Sequence, residues 1–168
     1  MSKSVLHLVA GAFLAAFISL FAFAAPAAAG EVEKRGEAYV IYLPGELDFY
    51  EVFGRLQSEI SAANWEITNI QNIDTGLMQY GVKIQNKVIS ACKSQLLAQA
   101  IKEDPFISLA VPCRFTIFKD DSTGKLVIGF NDPAAEAKAL GIKNHAAAGQ
   151  ATEELKTVLK TMLDFYGK

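Results

Sequence analysis

The residues with the most chemical potential in this chain are two cysteines, Cys92 and Cys113. Each falls in a run of alternating apolar residues, which puts it on the apolar side of a strand, where cysteine behaves as a small buried hydrophobe. Two thiols in an exported chain can also close a structural disulfide, or cycle between thiol and disulfide as a redox pair. There is no C-x-x-C motif, and two cysteines without clustered histidines do not complete a zinc site within the chain. No metal or other cofactor is therefore expected. Beyond the first thirty residues the only histidine is His145, in Lys143-Asn144-His145-Ala146, and a lone loop histidine with no G-x-S-x-G serine gives no hydrolytic triad. Asp120 and Asp121 have the look of an acid–base or calcium pair. They stand beside Ser122, Thr123 and Gly124, however, a composition that turn geometry alone favours. Tyr80 and Phe106, in loop-like contexts, are candidates together with His145 for a pocket mouth or partner surface.

The first thirty residues constrain what all of these can do. Lys3 precedes an apolar run from Val5 to Ala25 and a tail Pro26-Ala27-Ala28-Ala29-Gly30. That is the order of a secretory signal peptide over 1–29, cut between Ala29 and Gly30. The alternative is an uncleaved membrane anchor, since the run is long enough to span a bilayer, although no Lys or Arg follows it as a stop-transfer signal would require. Cleavage gives a periplasmic or secreted protein beginning at Gly30, and retention gives a tethered form of the same module. Residues 30–168 suffice for a single domain with one core. Loss of Lys3 turns 16 basic against 18 acidic residues into 15 against 18, with no basic stripe, which argues against a nucleic-acid partner.

The elements that must position these residues follow from periodicity and caps. Ala38–Leu43 (AYVIYL) predicts a strand stopped by Pro44-Gly45. Asp48 and Glu51 form a capping-box pair ahead of a helix whose stripe is Phe49, Val52, Phe53, Leu56, Ile60 and Ala63. Glu31–Glu37 reads as a flexible lead-in, and 74–81 as a loop or short turn. A strand begins near Trp65, and a second from Val82 carries Val88 and Cys92 inward with Lys87 outward. Ser94–Glu103 predicts a helix with Leu96, Leu97, Ala100 and Ile101 inward, ended by Asp104-Pro105. Leu109, Val111, Cys113, Phe115 and Ile117 form a strand face in which Pro112 suggests a sheet edge or bulge. The hairpin 120–124 returns through Lys125–Phe130, and Asp132-Pro133 opens a short helix ending at Gly141. The last helix has the stripe Leu155, Val158, Leu159, Met162 and Tyr166, with Glu153 and Glu154 favouring its N-terminus. This order predicts an α+β fold, a two-layer sandwich with a mostly antiparallel sheet and helices packed on one face, with a ferredoxin-like arrangement as the nearest rival.

The run V-I-S-A-C-K at Val88–Lys93, D-P at Asp104-Pro105, L-A-V-P-C at Leu109–Cys113, F-N-D-P at Phe130–Pro133 and A-L-G-I at Ala139–Ile142 resembles the family called domain of unknown function 302. Where many members carry Gly-x-Cys-Asn-Pro at the first cysteine, this chain has Ser90-Ala91-Cys92-Lys93-Ser94, so shared chemistry at that loop does not follow. The resemblance implies a compact α+β fold, often a homodimer, and no established activity. The sequence therefore predicts an exported, non-enzymatic binding or accessory module for an unidentified small molecule or protein partner. The alternative is a thiol-dependent redox or sulfur-handling protein using Cys92 and Cys113.

Overall fold

The computed structural model describes residues 30–167; the signal-peptide reading of 1–29 lies outside the described residues. Six strands form one sheet in the order β1-β2-β6-β5-β4-β3. They are β1 (Glu33–Arg35), β2 (Ala38–Leu43), β3 (Glu66–Asn72), β4 (Asn86–Cys92), β5 (Cys113–Asp120) and β6 (Lys125–Asn131). Every neighbouring pair is antiparallel. The helices α1 (Phe49–Ala62), α2 (Ile73–Met78), α3 (Ser94–Glu103), α4 (Pro133–Ala139) and α5 (Ala146–Tyr166) give the mixed two-layer sandwich that the pattern predicts. The strand order excludes the ferredoxin-like rival, because β4, β5 and β6 are sheet neighbours in chain order.

Local signals act where they were read. Asp48 accepts a hydrogen bond from Glu51 N at 2.8 Å, and α1 then buries Phe49, Val52, Leu56 and Ile60. Asp132 caps α4 by accepting from Ala134 N at 3.0 Å. Ile41, Ile89, Phe115, Ile117 and Ile128 lie on one sheet face and meet α1 and the long α5, whose Leu155, Leu159 and Met162 are fully buried. The β5–β6 hairpin closes through Gly124 at φ +70°. A side chain at Gly45 would collide with the Gly124 carbonyl oxygen, which fixes glycine where the two turns touch.

Several expectations are corrected. The lead-in contains β1, which pairs with β2 through Lys34–Tyr39. The loop at 74–81 contains most of α2, which begins at Ile73. The strand expected from Val82 begins only at Asn86, and its parity is reversed: Lys87, Ile89 and Ala91 face the helices while Val88 and Cys92 alternate to the other side. Lys87 turns inward because α2 carries Asp74 over β4, with Lys87 Nζ 3.0 Å from the carboxylate, a compensation that alternation cannot register. Pro105–Leu109 forms a 3-10 turn and β5 starts at Cys113, so Pro112 precedes an interior strand rather than marking an edge. Ile101 and Leu109 are exposed. α5 begins at Ala146, which places Glu153 and Glu154 inside the helix rather than at its start.

Candidate functional site

Where β4 ends and α3 begins, the chain builds an apolar slot between α3 and α5. Alanines make the space. Ala100 on α3 and Ala147, Ala148 and Ala151 on α5 face the gap, and their short side chains do not fill it. Trp65, Leu96, Ile107 and Cys113 complete the walls, enclosing ≈ 40 Å³. A single water needs about 10–15 Å³ by this measure together with polar partners, and these walls offer almost none. The space suits a small aliphatic group, such as a chain end or one branched side chain.

One polar cluster stands at the rim. Trp65 follows Asn64, which adopts a left-handed turn at φ 59°, a conformation asparagine tolerates. The turn delivers the indole into the wall, where Trp65 Nε1 donates to Glu154 Oε2 at 3.1 Å. Lys93 Nζ donates to the same oxygen at 2.7 Å and to the Ala63 carbonyl at 3.2 Å, and Gln150 Nε2 donates to Glu154 Oε1 at 3.1 Å. Burial alone would raise the Glu154 carboxyl pKa, but the bonds from Lys93, Gln150 and Trp65 outweigh it and hold the group below its ordinary value. The rim charge is thus internally neutralised: the slot presents hydrocarbon walls and a satisfied ion pair.

The cysteines meet at this slot without forming a pair. Cys113 is registered against Ala91, on the helix-covered face, and Cys92, one residue further along β4, is registered against Glu66 and alternates to the open face. Neighbouring strands bring the backbones close, about 6 Å apart by strand spacing and rise. The Cβ directions diverge, however, and a bridge across such a diagonal needs backbone movement. Both cysteines are free, so of the alternatives open to them the disulfide is not the one formed, and the expectation that both occupy apolar strand faces holds only for Cys113. Burial pushes the Cys113 thiol up to about 12, with Cys92 and Glu136 adding to the shift. Burial, then the Glu66 charge, also raises Cys92. Neither environment generates a thiolate at neutral pH.

The remaining candidates disperse. Phe106 is 66% exposed and adjoins Ile107 of the slot wall, whereas Tyr80 is 75% exposed beyond α2, which packs on β4 near Lys87 at the strand's other end. His145 sits at the N-cap of α5 with Nδ1 3.2 Å from the Ile142 carbonyl, lining a polar cleft with Lys34, Asp132 and Lys138. Asp120 is a turn residue, accepting from Ser122 N at 3.0 Å, Ser122 Oγ at 2.6 Å and Thr123 Oγ1 at 2.9 Å. Among the described residues no group of three or more His, Cys, Asp or Glu side chains could hold a metal ion, and no helix is long and apolar enough to cross a membrane. Sequence reasoning missed Trp65, Lys93 and Glu154 as a unit. The signal was the chain's one tryptophan, but its partners lie 28 and 89 residues away.

A six-stranded antiparallel sheet with its helices arranged around a small apolar slot defines a two-layer α+β domain. The family model for the domain of unknown function DUF302 matches residues 41–162, and the chain belongs to that family. The fold is shared with the crystal structure of an uncharacterized conserved DUF302 protein from Bacillus stearothermophilus, at a TM-score of 0.63 and 15% identity, covering 77% of this chain and 98% of that one. No curated protein matches the sequence.

Proposed function

We propose that the protein is an exported, non-enzymatic binding module that takes a neutral aliphatic group into the slot between α3 and α5. The observation that carries this reading is the wall chemistry: alanine, leucine and isoleucine side chains surround the space, and the one cation lining it among the described residues, Lys93, is neutralised by Glu154 at 2.7 Å. Apolar pockets with a few fixed polar groups are the usual form of small-ligand sites. The thiol-redox alternative gains little from the geometry, since the two side chains alternate to opposite faces of the sheet and burial raises both thiols.

Trp65 is the only tryptophan and forms part of the wall, so its emission reports occupancy. Titrating the processed protein with a medium-chain alcohol is expected to shift and saturate that emission. Ala110→Phe, at the half-buried edge of the slot, is expected to abolish the response while the far-ultraviolet dichroism stays unchanged. A linear, unsaturable response equal in both proteins would contradict the reading.

A further inference from the structure

A second cleft lies outside the slot and shares no wall residue with it. It is polar, with a volume of ≈ 560 Å³, the size of a small-molecule site. The chain turns from β1 to β2 through Gly36-Glu37, and Asp132 N donates to the Glu37 carbonyl at 2.9 Å, which sets this turn beside the start of α4. Lys34, Glu37, Asp132, Lys138 and His145 line the cleft, and alanines of α4 complete the wall without filling the space.

The decisive group is Asp132, whose side chain keeps only 7% exposure. Its Oδ1 is saturated, accepting from Thr152 Oγ1 at 2.5 Å and from Ala134 N at 3.0 Å. Oδ2 accepts no hydrogen bond from the described residues. Lys34 Nζ stands 3.9 Å from it, beyond hydrogen-bond reach, and equally 3.9 Å from Glu37 Oε2. An acceptor so placed must take its donor from whatever fills the cleft. Two carboxylates share one lysine, so this buried end keeps a negative charge in excess. Lys156, which shares the Tyr39 ring with Lys34, is taken up by Glu153 at 2.9 Å. The exposed end has the opposite character. Lys138, in the last turn of α4, makes no ion pair among the described residues. Ala134, beside Asp132, and Lys138 both line the cleft, one helical turn apart on one face of α4, about 6 Å along its axis. His145 Nδ1 lies 3.2 Å from the Ile142 carbonyl, which can only accept, so Nδ1 carries the proton and Nε2 stays free.

We propose that this cleft binds a small amino acid as its zwitterion, with the ammonium group on Asp132 Oδ2 and Glu37 and the carboxylate on Lys138. A lone anion is repelled by the buried end, and a lone amine leaves Lys138 unanswered. A zwitterion answers both ends and adds no net charge. Its two charged groups are only a few bonds apart, a span that one helical turn and a flexible lysine stem accommodate. Hydrogen bonds to charged groups at both ends give the site its selectivity.

His145 is the only histidine beyond residue 29, so its ring resonances report on the cleft without overlap. Titrating the processed protein with L-alanine while following that ring by NMR tests the proposal, with propionate and ethylamine, each carrying one of the two charges, as controls. The expected result is a saturable shift with L-alanine, and binding roughly tenfold or more weaker with either control, the scale of one lost hydrogen bond to a charged group. Asp132→Asn keeps an oxygen for the α4 cap and should weaken L-alanine roughly tenfold or more. Lys138→Gln, at an exposed position, should weaken it on the same scale with an unchanged thermal midpoint. Should Asp132→Asn lose its fold by circular dichroism, Glu37→Gln at the same end takes its place. No saturable shift at any concentration of L-alanine overturns the proposal, as does binding indifferent to these substitutions. Propionate binding as tightly as L-alanine would make this an anion site, ethylamine binding as tightly would make it an amine site, and either result overturns the zwitterion.

Discussion

Two lysine–carboxylate pairs lie six residues apart along one strand and its cap, and they do different work. Lys87 and Asp74, at the start of β4, keep only 9% and 10% of their side chains exposed, and Lys87 Nζ also donates to Asn72 Oδ1 at 2.8 Å. Lys93 and Glu154, just past the strand's other end, keep 20% and 27% and stand beside open apolar space. The first pair fastens α2 to the sheet. The second neutralises the charge at the rim of a slot. The same chemical pair is sealed against the sheet at one end of the strand and stands beside open apolar space at the other.

Breaking the sealed pair should have the largest effect. Lys87→Met leaves the Asp74 carboxylate buried without its cation, which costs about 3–5 kcal/mol. Asp74→Leu added to Lys87→Met should recover much of the loss, because an apolar pair carries no desolvation cost. Urea denaturation measures both. If the single and double variants are equally destabilised, α2 is held by packing and not by the pair.

Acid separates the pairs less sharply, and the sign is fixed by their pKa directions. Burial alone would raise Asp74, but hydrogen bonds from Lys87 and Thr75 and the Lys87 charge hold it below its ordinary value of 3.8. Glu154 is likewise held below 4.5. A depressed folded-state pKa means that the unfolded chain takes up the proton first as pH falls. The stabilisation is therefore full above the ordinary values, begins to fade as pH drops toward them, and is gone below the folded-state values. Thermal midpoints should be flat from neutrality to about pH 5.5 and fall below about pH 4. In Lys87→Met the Asp74 contribution to that fall should disappear.

The rim pair should matter least to stability. Glu154→Gln keeps an acceptor for Trp65 Nε1 and costs about 1 kcal/mol or less, the scale of a partly exposed pair. Its larger expected effect is on binding, since Lys93 would then face the slot as an unpaired charge. Weakened uptake of a neutral aliphatic probe, read from Trp65 emission at an almost unchanged urea midpoint, is the expected split. Unchanged uptake would show that the pair does not serve the slot.

Much of the fold was legible because its signals are local. The cap at Asp48, the strand Ala38–Leu43, the Asp104-Pro105 stop after α3 and the β5–β6 hairpin each lie within a few residues of sequence. What misled were features settled at long range. Lys87 reads as a solvent-facing residue until α2 brings Asp74 to it, and α2 itself is a six-residue helix around Gly76, too short to announce a period. The cysteines read as sharing a face because the strand was started at Val82, and one step of register moved Cys92 to the other side. The slot was invisible for the opposite reason. Alanines on α3 and α5 mark it by the volume they leave unfilled, and composition does not show which alanines face one another.

The central claim is that this unfilled volume is the binding site. Methyl-resolved NMR of alanine-labelled processed protein, titrated with a medium-chain alcohol, tests it most directly. The account predicts saturable shifts at Ala100, Ala110, Ala147, Ala148 and Ala151, with Ala38 on the bare sheet face unmoved. Shifts centred on Ala38, or none in the slot up to the solubility limit of the alcohol, would contradict it.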